Sequence, residues 1–141
     1  MNIQNIRSLL LECYSKDLCY SKMQENWNED NKCLGMCVIT SLIINDYFGG
    51  DICKIHIDGI SHYFNLVEDE IIDLTSSQFN YEIDHKNYQI IDRKRILTDD
   101  TKNRYNILKA RLIKKLLKQV DEKVYSCNTC DKLVDKFPND A

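Results

Sequence analysis

One apolar helix set between glycines constrains this chain more than any other stretch. From about Met36 to Phe48, the residues Val38, Ile39, Leu42, Ile43 and Tyr47 form a broad apolar face, and Gly49-Gly50 offers a C-terminal stop. A helix this apolar needs cover on most sides, which makes it central. The segments after it alternate at period two. Cys53 to Ile57 reads as a strand that breaks at Asp58-Gly59, and His62–Val67 and Glu70–Thr75 flank a short acidic turn as a β-hairpin. Tyr88 to Ile91 is a further short strand. The chain is therefore expected to be α+β, with a central helix packed on an antiparallel sheet.

The flanks complete one domain. Ile3, Ile6, Leu9, Leu10 and Cys13 recur at helical spacing and predict a short amphipathic helix ending before Tyr14. Leu18 to Leu34 is irregular and holds the single tryptophan, Trp27; long unpatterned loops of this kind are often functional. Asp99-Asp100-Thr101 supplies capping side chains for a long helix with a buried stripe of Tyr105, Leu108, Leu112, Leu116 and Val120. Its Lys and Arg clusters near residues 105–119 read as a solvated face. With 141 residues, no internal repeat and no linker, a single domain over residues 1–123 and a polar tail over 124–141 are expected.

The helix start matters chemically. Cys37 falls in its first turn, where unpaired N–H groups point at the thiol and at any oxyanion formed there. A helix N-terminus and a neighbouring imidazolium together lower a thiol pKa from about 8.5 into a range of roughly 3.5–7.5. The hairpin supplies the imidazole. If Val67 pairs with Glu70, Leu66 faces Ile71 and Phe64 faces Asp73, so Asp73 lies diagonal to His62 on one sheet face, about 7–8 Å apart. A slip of one residue would put the two on opposite faces. Cys37, His62 and Asp73 thus form a candidate set of nucleophile, base and orienter. The plainer readings are a small buried thiol, a strand histidine bonded to backbone and a turn-capping aspartate. His56 is a weaker base candidate, and His85 in Asp84-His85-Lys86-Asn87 is expected to be exposed. A second oxyanion donor is expected in the loop before the helix, from Gln24, Trp27, Asn28 or Asn31.

Other classes lack their signatures. A net charge of −3 gives no general attraction to nucleic acid or to anionic membrane, and no window approaches the roughly 18 apolar residues of a membrane span. Met1-Asn2-Ile3-Gln4 lacks the basic start of a signal peptide, so a cytoplasmic protein with reduced thiols is expected despite seven cysteines. Cys127-Asn128-Thr129-Cys130 is the one CxxC, and structural zinc would need a second pair such as Cys33 and Cys37. Free thiols in a loosely docked tail are the favoured reading. No phosphate-binding glycine loop or metal-binding His pair is present, and no cofactor is expected.

These residues together resemble the YunG-like family of small uncharacterised bacterial proteins. The resemblance covers roughly residues 10–115. It is carried by Trp27, Gly35-Met36-Cys37-Val38-Ile39-Thr40, Asn45-Asp46-Tyr47-Phe48-Gly49-Gly50, Ser61-His62-Tyr63-Phe64-Asn65, Asp73-Leu74-Thr75 with Gln78-Phe79, and Arg104-Tyr105 with Leu108. The chain departs from the family in having Met36 where Gln is usual, Phe64 where Trp is usual, and no proline near Lys32. The family looks like a relative of papain-like thiol hydrolases, which implies a nucleophile helix on an antiparallel sheet and an acyl substrate, small molecule or peptide.

The expected function is a cysteine-dependent hydrolase or acyltransferase using Cys37, His62 and Asp73. Two rivals stand beside it. One is a non-catalytic binding module with recognition around Trp27; the other is a zinc or redox protein using Cys33, Cys37, Cys127 and Cys130.

Overall fold

The computed structural model describes the backbone of residues 2–130 and the side chains of residues 2–123. Helix α1 spans Ile3–Cys13, with the Asn2 side chain accepting the Asn5 N–H at its start. Short 3-10 turns at Lys16–Leu18, Ser21–Asn26 and Glu29–Asn31 carry the irregular segment to helix α2, Cys37–Phe48. Strands β1 (Asp51–Ile57), β2 (Ile60–Val67), β3 (Glu70–Ile72) and β4 (Gln89–Ile91) follow, then a one-turn helix α3 (Arg93–Ile96) and the long helix α4 (Asp99–Cys130). The fold is α+β, and the sheet is antiparallel with order β3-β2-β1-β4.

Both hairpin turns use left-handed backbone. Asp58 and Gly59 take φ 52° and 80° between β1 and β2, and Glu68 and Asp69 take φ 50° and 67° between β2 and β3. Positive φ at both central residues matches the twist of the flanking strands. The second turn achieves this without glycine, at a steric cost of about 1 kcal/mol or more per residue. The register it sets is Val67↔Glu70, Leu66↔Ile71 and Asn65↔Ile72.

Period-two alternation divides β2 between two cores. Tyr63, Asn65 and Val67 face α2, where Asn65 Nδ2 donates to the Ser41 carbonyl at 3.0 Å and pins the strand to the helix. The opposite face holds Phe64, Cys53 and Ile55 in a smaller cluster, covered by Ile83 and Tyr88. The main core gathers α1, α2 and α4, with Ile6, Leu10, Met36, Ile39, Leu42, Ile43, Leu108 and Leu112 all at 1% exposure or less. Asp46 ties the helices at their far end: Arg93 Nη2 lies 2.8 Å from it and the Tyr105 hydroxyl donates to it.

Helix α4 departs from expectation at its cap, along its stripe and in its length. Its start is capped by Thr98, whose Oγ1 accepts the Thr101 N–H, while Asp100 instead pairs with Arg104. Arg104, just ahead of the basic stretch read as a solvated face, is 6% exposed, and its guanidinium donates to the Leu18 carbonyl inside the fold. The buried stripe covers Tyr105, Leu108 and Leu112 and fades at Leu116, whereas Val120 is 57% exposed because the helix has outrun the body beneath it. The α4 backbone passes Lys123, where the tail was expected to begin, and continues to Cys130; the side chains of Cys127 and Cys130 lie outside the described residues. No described helix is long and apolar enough to cross a membrane.

Candidate functional site

Gly35 sets the geometry just ahead of Cys37. It holds φ 73°, its carbonyl accepts the Tyr20 N–H, and a Cβ there would stand 2.4 Å from Cys19 Sγ and 2.7 Å from Tyr20 N. Only a glycine lets the chain pass this close to Tyr20 and turn into α2. Met36 follows as a fully buried core residue, so the position where the family usually has Gln points into packing. Cys37 then opens the helix. Among the described free cysteines it alone is partly exposed, while Cys13, Cys19, Cys33 and Cys53 are buried.

The hairpin brings His62 to the aspartate. Strand β3 ends at Ile72, and Asp73, the next residue, accepts from His62 Nε2 at 2.7 Å; the side chains are 1% and 5% exposed. Since β3 pairs only with Asn65–Val67, the Ser61–Phe64 end of β2 has no neighbour on that side, and His62 and Cys37 line one cleft. The His62 ring packs edge-on against Phe79 at 5.0 Å. Burial is the largest influence on the imidazole and opposes its charge. Hydrogen bonds with Asp73 and Cys37, and the negative charge on both partners, outweigh burial and push the His62 pKa up to about 9. For Asp73, burial raises the pKa, yet hydrogen bonds and charge from His62 and His85 hold it below the usual carboxylate value.

Two neighbours escaped the sequence reading. His85 is not free on the surface: its Nε2 lies 2.8 Å from the same Asp73 oxygen, its side chain is 24% exposed, and its ring packs against Phe64 at 4.7 Å. Gln78 places its amide nitrogen 3.3 Å from His62 Nδ1. Nothing local in Asp84-His85-Lys86-Asn87 signals its return to the sheet, whereas Gln78 did lie within a family-like motif.

The loop residues expected to supply a second donor are engaged elsewhere. Trp27 is nearly buried, with Nε1 donating to the Lys32 carbonyl at 3.0 Å. Asn28 accepts the Asp30 N–H, Gln24 donates to the Lys16 carbonyl, and Asn31 donates to the Gln78 carbonyl at 3.4 Å. None of the four lines the cleft. Loop backbone this irregular consumes nearby amides to satisfy its own polar groups. Asn31 still bears on the site, by holding the backbone of Gln78.

Cys37, His62 and Gln78 open onto a cleft of about 900 Å³, whose other walls come from Tyr20–Met23, Gly59–Tyr63 and the start of α4. Cys33 sits apart from it, 2% exposed, near the Leu74 carbonyl and the Ser77 hydroxyl. Among the described residues no group of three or more His, Cys, Asp or Glu side chains is placed to hold a metal ion.

Fold and site define a class: an α+β protein in which a helix-borne cysteine and a buried histidine, itself bonded to an aspartate, line one cleft. The chain belongs to the YunG family, described as YunG protein, which matches residues 2–117. Over 107 residues it is 26% identical to the uncharacterized protein YunG of Bacillus subtilis (strain 168), covering 76% of this chain and 88% of that protein. No solved structure matches.

Proposed function

We propose that the chain is a cysteine-dependent hydrolase or acyltransferase with a papain-like arrangement. The observation that carries this reading is the 2.7 Å contact of His62 Nε2 with Asp73, on an imidazole that lines the same cleft as the thiol opening α2. A histidine held largely as imidazolium near neutral pH suits an ion-pair mechanism, in which the thiol proton already resides on His62. The Cys37 thiolate adds to an ester, thioester or amide carbonyl, and the carbonyl electrons move to oxygen. The Cys37 N–H, in the first turn of the helix, and the Gln78 amide are the donors available to that oxyanion. Collapse expels the leaving group, which takes its proton from His62, and leaves a thioester on Cys37. Water or an amine then releases the acyl group.

The test uses p-nitrophenyl acetate as acyl donor. Intact and peptide mass spectrometry should find one acetyl group per chain, on Cys37, formed faster in wild type than in His62→Ala and turning over with time. Acetylation spread over lysines, or equally fast in His62→Ala, would remove the reading.

A further inference from the structure

The cleft carries a charge pattern that the reaction above does not use. Lys22, Arg95 and Arg104 line it against a single carboxylate, Asp100. Arg104 is the fixed member, 6% exposed, with Nε 3.0 Å from Asp100 Oδ2, Nη1 3.0 Å from the Leu18 carbonyl and the guanidinium 5.9 Å from the Tyr20 ring centroid. The Asp100 side chain is 62% exposed, so water screens it far more than it screens the buried guanidinium. Lys22 and Arg95 are exposed, and neither forms an ion pair among the described residues. Thr98 and Thr101 bring the N-terminal turn of α4 to the same wall, adding the positive end of a long helix. Apolar side chains such as Met23, Ile60, Phe79 and Ile96 complete the lining, and low-dielectric walls concentrate such a field.

We propose that this cleft selects acyl substrates that carry a carboxylate near the reacting carbonyl. Arg104 is the preorganised anchor, and Lys22 and Arg95 draw the anion in. The inference rests on the reading of Cys37 as the nucleophile, and its test separates the two. The carboxylate can come from an acidic side chain or from a free chain end; the chemistry that Arg104 recognises is the same.

Alkylation of Cys37 by iodoacetate and by iodoacetamide, at one pH, reads the field directly without any turnover. The iodoacetate-to-iodoacetamide rate ratio should exceed that of N-acetylcysteine and fall in high salt. It should drop by about tenfold in the Lys22→Glu/Arg95→Glu double variant, whose substitutions are both exposed, in line with the lower range of electrostatic steering. Iodoacetamide labelling should also be slowed by acetyl-Glu-Ala-amide or by acetyl-Ala-Ala with a free carboxylate, and not by acetyl-Ala-Ala-amide. The more protective acid identifies the source of the carboxylate. A ratio equal in wild type and charge-reversed protein, protection by neither acid, or equal protection by the neutral peptide overturns the anion inference while Cys37 keeps its reactivity. A Cys37 inert to both reagents overturns the nucleophile reading and this inference with it.

Discussion

His62 and His85 donate to one and the same oxygen, Oδ2 of Asp73, from 2.7 and 2.8 Å. The other oxygen, Oδ1, accepts the Thr75 N–H at 3.3 Å. A nearly buried carboxylate with three donors stays ionised and fixed in orientation, which gives the His62 imidazolium a constant partner.

Replacing Asp73 by Asn should therefore lower the His62 pKa from about 9 by a unit or more, because the charge that offsets burial is lost. Iodoacetamide labelling of Cys37 at neutral pH should slow by up to about tenfold per unit of that change if labelling follows the imidazolium population. An NMR titration of the histidine ring and the labelling rates decide this. A His62 titration superimposable on wild type would reduce Asp73 to a turn residue.

Thiol reactivity should be ordered by position. Burial pushes the pKa values of Cys13, Cys19 and Cys33 up, and burial with the Asp51 charge pushes Cys53 up to about 11. Cys37, partly exposed at a helix start, should be labelled before these four in the folded protein. Peptide mapping after brief exposure to iodoacetamide measures the order. Earlier modification of any of the four buried thiols would contradict it.

Stability should fall on the alkaline side. His62 binds its proton more tightly folded than unfolded, so its contribution is full below the ordinary value of 6.5 and is lost as pH rises through about 9. That contribution is on the order of 3 kcal/mol. Asp73 behaves oppositely, stabilising above the ordinary carboxylate value and losing its contribution as pH falls. Urea melts between pH 6 and 10 test the first limb, and in His62→Gln the alkaline decline should shrink.

Gly35→Ala should destabilise the fold by roughly 1–3 kcal/mol or more, from the left-handed backbone and the 2.4 Å approach of Cys19 Sγ. It should also slow Cys37 labelling, since relief of the clash moves the Tyr20 segment or the start of α2. Denaturation midpoints and labelling rates report the two effects. A variant as stable as wild type would show that the close approach can relax without cost.

The sequence by itself determined the helix at Cys37–Phe48, the alternation of β1 and β2, and the register of the hairpin to β3. These are short-range properties: apolar periodicity, a glycine stop and the length of a turn decide them within a dozen residues. Even there the acidic turn took left-handed backbone at Glu68 and Asp69 without the usual glycine. Only the tertiary structure decided which side chains meet. The path of residues 79–88 over the second sheet face carries His85 to Asp73, a long-range packing outcome that no local pattern in a polar segment encodes. The same holds for Arg104, whose basic stretch resembles any solvated helix face until the Leu18 carbonyl and the Tyr20 ring close over it. Gln24, Trp27 and Asn28 show the converse, since their side chains satisfy backbone groups close by in sequence, while Asn31 is taken up by the Gln78 carbonyl.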